Sequence, residues 1–124
     1  METITLDYFE NVDGEPRKKE LVFSSSLIQR PYTPASLFVI RVEGQSMEPF
    51  IRHDSLVVAD LSQKDFEDGA VFLVHKDDRM WIKKASLVEG EEYFVSINEG
   101  YEHLVYQSGD VRIVARALLT FTGL

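Results

Sequence analysis

Cysteine is absent from all 124 residues. That absence excludes disulfide bonds, thiolate metal sites and a cysteine nucleophile, and leaves chemistry to oxygen and nitrogen. Long apolar runs are missing too, since nothing in the chain approaches the ~20 residues needed to cross a bilayer. The opening Met1-Glu2-Thr3-Ile4-Thr5-Leu6-Asp7 has neither the basic start nor the apolar stretch of a signal peptide, so a cytoplasmic location away from any membrane is expected. Basic charge is scarce. Thirteen Lys and Arg against 21 Asp and Glu give a net charge of −8, a surface that repels phosphate backbones and anionic lipid alike. The chain is not expected to grip DNA by itself. No amphipathic stretch is long enough for a helix pair, which excludes a helix-turn-helix, and there is no internal repeat or low-complexity segment.

What is present suits one domain, with 44% hydrophobic residues to fill a core. Residues 1–36 read as a polar, irregular arm carrying Asp13-Gly14, Glu15-Pro16, the basic run Arg17-Lys18-Lys19, the cluster Ser24-Ser25-Ser26, Pro31 and Pro34. One short strand fits there, from Glu20 to Phe23. Over 37–124 the pattern changes to β-branched and aromatic runs at Leu37–Val42, Ser55–Ala59, Ala70–Val74, Met80–Ile82, Tyr93–Ile97 and Val111–Arg116. Asp68-Gly69, Lys76-Asp77-Asp78-Arg79, Glu89-Gly90 and Ser108-Gly109-Asp110 separate them with turn-forming residues at hairpin intervals. The expected fold is mostly β, made of antiparallel sheets, with one short helical turn after Ser46.

His53, His75 and His103 lack the spacing and acidic neighbours of a zinc site or a serine triad, and no metal or cofactor is expected. Glu89, Glu91, Glu92 and Glu99 lie in turn-like sequence and read as a solvated face. Tyr93, Phe94, Tyr101 and Tyr106 sit in acidic surroundings and read as core packing, not as a platform for stacking bases. One segment differs: in Val42-Glu43-Gly44-Gln45-Ser46-Met47-Glu48-Pro49 a strand ends at a glycine, exposes a serine and turns at a proline. Such a turn presents a hydroxyl beside backbone N–H groups, as acyl transfer requires, although a serine after glycine also serves as an ordinary turn residue. The hydroxyl needs a base. Lys83 and Lys84 follow Trp81-Ile82 and face opposite ways along a strand, so only one of them can share a pocket with Ser46. That lysine works as a base only when neutral, which burial favours by lowering its pKa from ~10.4. Both also read as ordinary exposed strand charges.

Three stretches together resemble the LexA-like serine peptidases, the self-cleaving C-terminal domains of LexA, lambdoid phage repressors and UmuD. Gly44-Gln45-Ser46-Met47-Glu48-Pro49 is similar to the family's nucleophile motif, Asp68-Gly69-Ala70-Val71-Phe72 to its turn and strand, and Trp81-Ile82-Lys83-Lys84 to its Val-Lys-Arg base motif. Val12-Asp13-Gly14-Glu15-Pro16 resembles the Ala-Gly-Glu-Pro cleavage segment. The resemblance covers about residues 10–119 and implies a twisted, mostly antiparallel β fold. It further implies Ser46 as nucleophile, neutral Lys83 as general base 37 positions on, the N–H groups of Gln45 and Ser46 as oxyanion hole, and the Asp13-Gly14 bond as substrate. Its implied partners are a second copy, met through the C-terminal strand from about Val111 to Phe121, and a RecA filament that stimulates cleavage. DNA would be bound only through a helix-turn-helix absent from this chain. That C-terminal strand is expected near a sheet edge otherwise left unpaired.

The function so implied is the self-cleavage and dimerisation domain of a LexA-like or phage-repressor-like transcriptional regulator of the SOS response. A non-cleaving oligomerisation or sensing module and a UmuD-like accessory protein of a translesion polymerase are the alternatives. Two residues depart from the family pattern. Asp54 replaces a glycine in the turn after the proline, a change aspartate tolerates because it enters left-handed turns. Asp13 replaces alanine or cysteine before the scissile bond, where a carboxylate must desolvate and favours charged Lys83, so slow cleavage is expected.

Overall fold

Hairpin turns set the architecture. In the computed structural model, which describes residues 2–98, 100 and 105–123, Asp13-Gly14, Asp77-Asp78 and Glu89-Gly90 each carry positive φ at both positions. Two successive left-handed residues make the tight turn whose twist matches that of the flanking strands, and Asp and Gly enter it at little steric cost. The first turn joins β1 (Thr3–Val12) to β2 (Glu15–Ser24). The second joins β5 (Val71–Lys76) to β6 (Arg79–Val88), and the third joins β6 to β7 (Glu91–Val95). The remaining strands are β3 (Leu37–Arg41), β4 (Leu56–Asp60), β8 (Tyr106–Gln107) and β9 (Arg112–Phe121). Seven strands form one antiparallel sheet in the order β3-β4-β9-β5-β6-β7-β8, while β1 and β2 form a second sheet. The fold is thus mostly β, as the run pattern indicates. No helix among the described residues is long and apolar enough to cross a membrane.

Two features differ from the sequence reading. First, the segment before β3 is not an irregular arm, because β1 and β2 pair along ten residues each, from Thr3↔Ser24 to Val12↔Glu15. β1 alternates between exposed and partly buried residues over its whole length. Ile4, Leu6, Leu21 and Phe23 pack with Ile28, Leu37, Val58 and Phe121 in one apolar cluster. An ion pair between Glu10 and Arg41 ties the far half of the hairpin to the end of β3. What hides the hairpin in the sequence is β2, exposed from Glu15 to Glu20, whose polar run has no period of its own.

Second, β9 is not an edge strand. It lies between β4 and β5 and is paired on both sides, so the free edge expected to carry a second copy does not exist there. Its apolar run has another cause: Ile113, Val114, Ala115, Ala117 and Leu118 are shared among four core clusters, so the strand makes apolar contacts on both faces, although only Ala115 is fully buried.

Strand alternation divides the core. Phe72 and Val74 face a cluster with Ala85 and Phe94, whereas Leu73 between them joins Ala59 and Ala115. Met47 and Ile51, from the loop after β3, pack with Val42 and Val57, which seats that loop on the sheet. At the end of β4 the buried Asp60 accepts hydrogen bonds from Thr33 N, Ser62 N, Ser62 Oγ and Gln63 Nε2. Burial by itself would raise its pKa, but these bonds outweigh it and hold the carboxyl below the usual range.

Candidate active site

Ser46 sits on the loop between β3 and β4, and hydrogen bonds hold that loop from several sides. Val42 closes its base, donating to Ser55 O and accepting from Asp54 N, both at 2.9 Å. Asp54 takes a φ of 67°, the left-handed conformation expected of it in place of glycine. Gly44, with φ 94°, donates its N–H to His53 Nδ1 at 2.9 Å. From the segment after β7, Asn98 donates its backbone N–H to Ser46 O at 2.9 Å and its side-chain amide to Gln45 O at 2.8 Å. Bonds from Glu48 N to Gln45 O and from Ile51 N to Met47 O wind the single turn after Ser46. These contacts occupy the carbonyls of Gln45 and Ser46, while the N–H groups of both residues donate to none of the described residues. Two uncommitted amides beside a hydroxyl are what an oxyanion hole needs.

Lys83 is placed by the turns. The Asp77-Asp78 turn sets Phe72 opposite Lys83, and the Glu89-Gly90 turn sets Lys84 opposite Val95. Lys83 therefore shares a face with Phe72 and is 0% exposed, whereas Lys84 points out to solvent. One residue beyond β7, in the same register, Ser96 accepts a hydrogen bond from Lys83 Nζ at 2.5 Å. The rings of Trp81 and Tyr106 flank the amine at 5.3 and 5.4 Å. Burial pushes the Lys83 pKa from 10.5 down to about 8, while the ring faces favour the cation.

Ser46 and Lys83 thus engage one short segment, in which Ser96 takes the amine and Asn98 takes the Ser46 carbonyl. A direct hydrogen bond between Ser46 Oγ and Lys83 Nζ is not among the described contacts. Next to Ser46, Met47 belongs to an apolar cluster against which Ile82 packs, on the side of β6 opposite Lys83. Alongside Ser46 opens a cleft of about 370 Å³, walled by Ile40–Met47 on one side and by Met80, Trp81 and Ile82 on the other. Trp81 Nε1 is buried there without an acceptor among the described residues. Asp13 and Gly14 do not line the cleft, although Glu10, shortly before them in the chain, reaches Arg41 in its wall.

Other candidate groups separate. Phe94 is in the core, Tyr106 meets Trp81 edge-on at 6.2 Å, and Tyr93 donates its hydroxyl to Glu91 at 2.7 Å. Glu89, Glu91 and Glu92 are exposed, and His75 is only partly buried. No group of three or more His, Cys, Asp or Glu able to hold a metal ion occurs among the described residues. Glu99, Tyr101 and His103 lie outside the described residues.

A family model described as Peptidase S24-like matches residues 8–118. The chain belongs to the peptidase S24-like family. No curated protein matches it significantly. The S24-like match runs from within β1 to within β9 and takes in the Asp13-Gly14 turn, Ser46 and Lys83 together. In this S24-like domain three residues carry contacts that motif reading passes over: His53 on Gly44, Ser96 on Lys83, and Asn98 on Gln45 and Ser46. Only the Ser96 contact had a signal in the sequence, since counting back from the Glu89-Gly90 turn sets it against Lys83.

Proposed function

We propose that this S24-like domain is a serine peptidase that cuts its own chain at Asp13-Gly14, as the self-cleavage and dimerisation part of a LexA-like or phage-repressor-like transcriptional regulator. The observation that carries this reading is Lys83: an amine with no exposed surface, its pKa brought down to about 8, on the segment that also holds the Ser46 backbone. Burying a lysine costs the fold several kcal/mol in the charged state. A general base gains from that cost, because it must shed its proton near neutral pH.

In the proposed reaction neutral Lys83 turns from Ser96 to Ser46 and takes the Oγ proton. The alkoxide attacks the Asp13 carbonyl carbon, and the N–H groups of Gln45 and Ser46 receive the oxyanion. As the carbon–nitrogen bond breaks, Lys83 returns the proton to the departing Gly14 amine. Water, deprotonated by the same lysine, then hydrolyses the ester and frees Ser46. The apolar cleft beside Ser46 supports binding of an extended peptide. The Asp13-Gly14 turn must open first, because its two positive φ values bend the scissile peptide away from an extended shape.

Under this reading the partners are a second copy and a RecA filament on single-stranded DNA. A second copy would meet side-chain faces of β9, since the backbone of that strand is already paired on both sides. One observation favours a second reading, a non-cleaving oligomerisation or sensing module: the Asp13-Gly14 turn stands outside the cleft. A UmuD-like polymerase accessory role would use the same chemistry as the first reading. The test is incubation of the purified chain at about pH 7 to 10, where a lysine base loses its proton, with mass spectrometry for a fragment beginning at Gly14. The fragment is expected from the wild type and from neither Ser46→Ala nor Lys83→Ala. Its absence from the wild type at every pH selects the non-cleaving module.

A further inference from the structure

His53 takes no part in the proposed proton transfers, yet its ring holds the loop that carries the proposed oxyanion amides. We propose that His53 is a positioning residue for the Gln45 N–H group and that it acts only while its Nδ1 is unprotonated, giving the loop an acid-sensitive off switch. The proposal rests on the Ser46–Lys83 reading above.

The Gly44 N–H donates to Nδ1 at 2.9 Å, so that nitrogen must keep its lone pair and the ring proton must sit on Nε2. Nε2 in turn lies 3.5 Å from Asp54 Oδ1, and the His53 backbone N–H donates to Glu48 Oε2 at 3.3 Å. The imidazole is therefore oriented from both sides. No neighbour packs against the open side of Gly44, where a built Cβ would meet nothing within 4 Å. Its φ of 94° is one of several wells open to glycine. The Gln45 N–H belongs to the peptide plane between Gly44 and Gln45, so the direction of that amide is set by the Gly44 dihedrals. Anchoring the Gly44 N–H fixes the plane from which those dihedrals start, and so helps to aim the amide.

Protonation would set an Nδ1–H donor against the Gly44 N–H donor, and the two must separate. The charged ring then has an alternative partner in Asp54, whose Oδ1 already stands near Nε2. The other charged groups around the loop are Glu48, Glu43 and Arg52 on the loop itself. Arg41 of β3 adds a further charge; it donates to Asp54 O at 2.8 Å and pairs with Glu10 of β1.

The experiment measures self-cleavage of the full chain from about pH 5 to 9, the range in which a histidine changes charge, for wild type, His53→Asn and His53→Phe. Asparagine offers an acceptor oxygen close to the Nδ1 position and does not titrate; phenylalanine keeps the ring shape and accepts nothing. The wild-type rate is expected to fall roughly tenfold per pH unit below the Lys83 value, and more steeply while the histidine gains its charge, until the extra loss equals that of His53→Phe. His53→Asn should stay within a few-fold of wild type at about pH 8 and lose the steepening, while His53→Phe should drop ~10- to 100-fold at every pH with a single slope. A steepening that survives in His53→Asn, or a His53→Phe protein of wild-type rate, overturns the proposal. The Gly44 amide proton, followed by NMR through the same titration, reads the hydrogen bond without any cleavage. If the wild type never cleaves, the Ser46–Lys83 reading fails by itself. In that case a Gly44 resonance that follows the ring charge upholds the loop switch, and one indifferent to it refutes the switch.

Discussion

A lysine with no exposed surface weakens the fold for as long as it carries its proton. For Lys83 the folded pKa of about 8 lies below the ordinary 10.5. Between those values the unfolded chain still holds a proton that the folded chain has released, so stability rises with pH through that window and the full cost stands below it. Lys83→Met removes the charge and keeps the length. We expect it to abolish cleavage and to stabilise the protein at neutral pH by about 2–3 kcal/mol, at roughly 1.4 kcal/mol per pKa unit less the lost Ser96 bond. Urea unfolding near neutral pH and again near about pH 10.5 measures this, and the gain should shrink at the higher pH. A variant less stable than wild type in both conditions would mean that the amine is held for structure, not for chemistry. The Ser96 partner was legible in the sequence in principle: from Val88↔Glu91, one pair at a time, the count runs to Lys83 opposite Ser96. The grip of Asn98 on Gln45 was not, because it joins positions 53 apart with no intervening turn to count from.

The β1–β2 hairpin is the element where sequence and structure diverge most, and the signal was there. Asp-Gly flanked by alternating apolar residues marks a hairpin, and Ile4, Leu6, Tyr8 and Val12 supply the alternation on β1. Pro16 and the Arg17-Lys18-Lys19 run on the other strand conceal it, since an exposed strand can be polar throughout and still pair. The strands β4 and β5 fared better because both of their faces are covered, which leaves a run of apolar residues that is hard to mistake. Finding Asp13 in a left-handed turn gives it two ways to slow cleavage, its charge and its fit to the turn. Substitution separates them. Asp13→Asn removes the charge and keeps a favoured turn pair with Gly14, whereas Asp13→Ala removes both. An alanine held at positive φ costs about 1–2 kcal/mol, so turn opening alone should make Asp13→Ala about tenfold faster than Asp13→Asn. The expected order of fragment appearance is Asp13→Ala, then Asp13→Asn, then wild type. Equal rates for the two variants would leave charge as the only brake, and an asparagine variant as slow as wild type would leave only the turn.

At the scale of the whole molecule, two features connect distant parts of the chain. Asp60 fastens the Thr33 and Ser62–Gln63 loops to β4, and its carboxyl is held below the ordinary 3.8. A carboxylate depressed in this way adds stability above the unfolded value, and that contribution disappears as pH falls through the folded one. Asp60→Asn should cost about 1–3 kcal/mol at neutral pH, with the difference from wild type closing in acid below about pH 4. Unfolding curves at the two pH values test this. The second feature is β9, which alone joins β4 to β5 in the sheet. Truncation before Arg112 is therefore expected to unfold the chain outright, visible as loss of the β signal in circular dichroism. A folded truncated monomer would instead show that the strand is an accessory used between copies.

The position of the Asp13-Gly14 turn at the tip of a fully paired hairpin has a consequence for what a cut would do. Breaking that peptide bond leaves β1 beside β2, still joined by the ladder and by the packing of Ile4 and Leu6. Connectivity has been replaced by affinity. While the strands share a chain their local concentration is high whatever the amount of protein, but after the cut β1 is a separate peptide whose retention obeys mass action. Dilution then favours its escape, which bares Leu21, Phe23 and one whole edge of β2. Chemistry would start the clock and dissociation would set the hour, so a nicked population could keep its original shape long after the bond is gone.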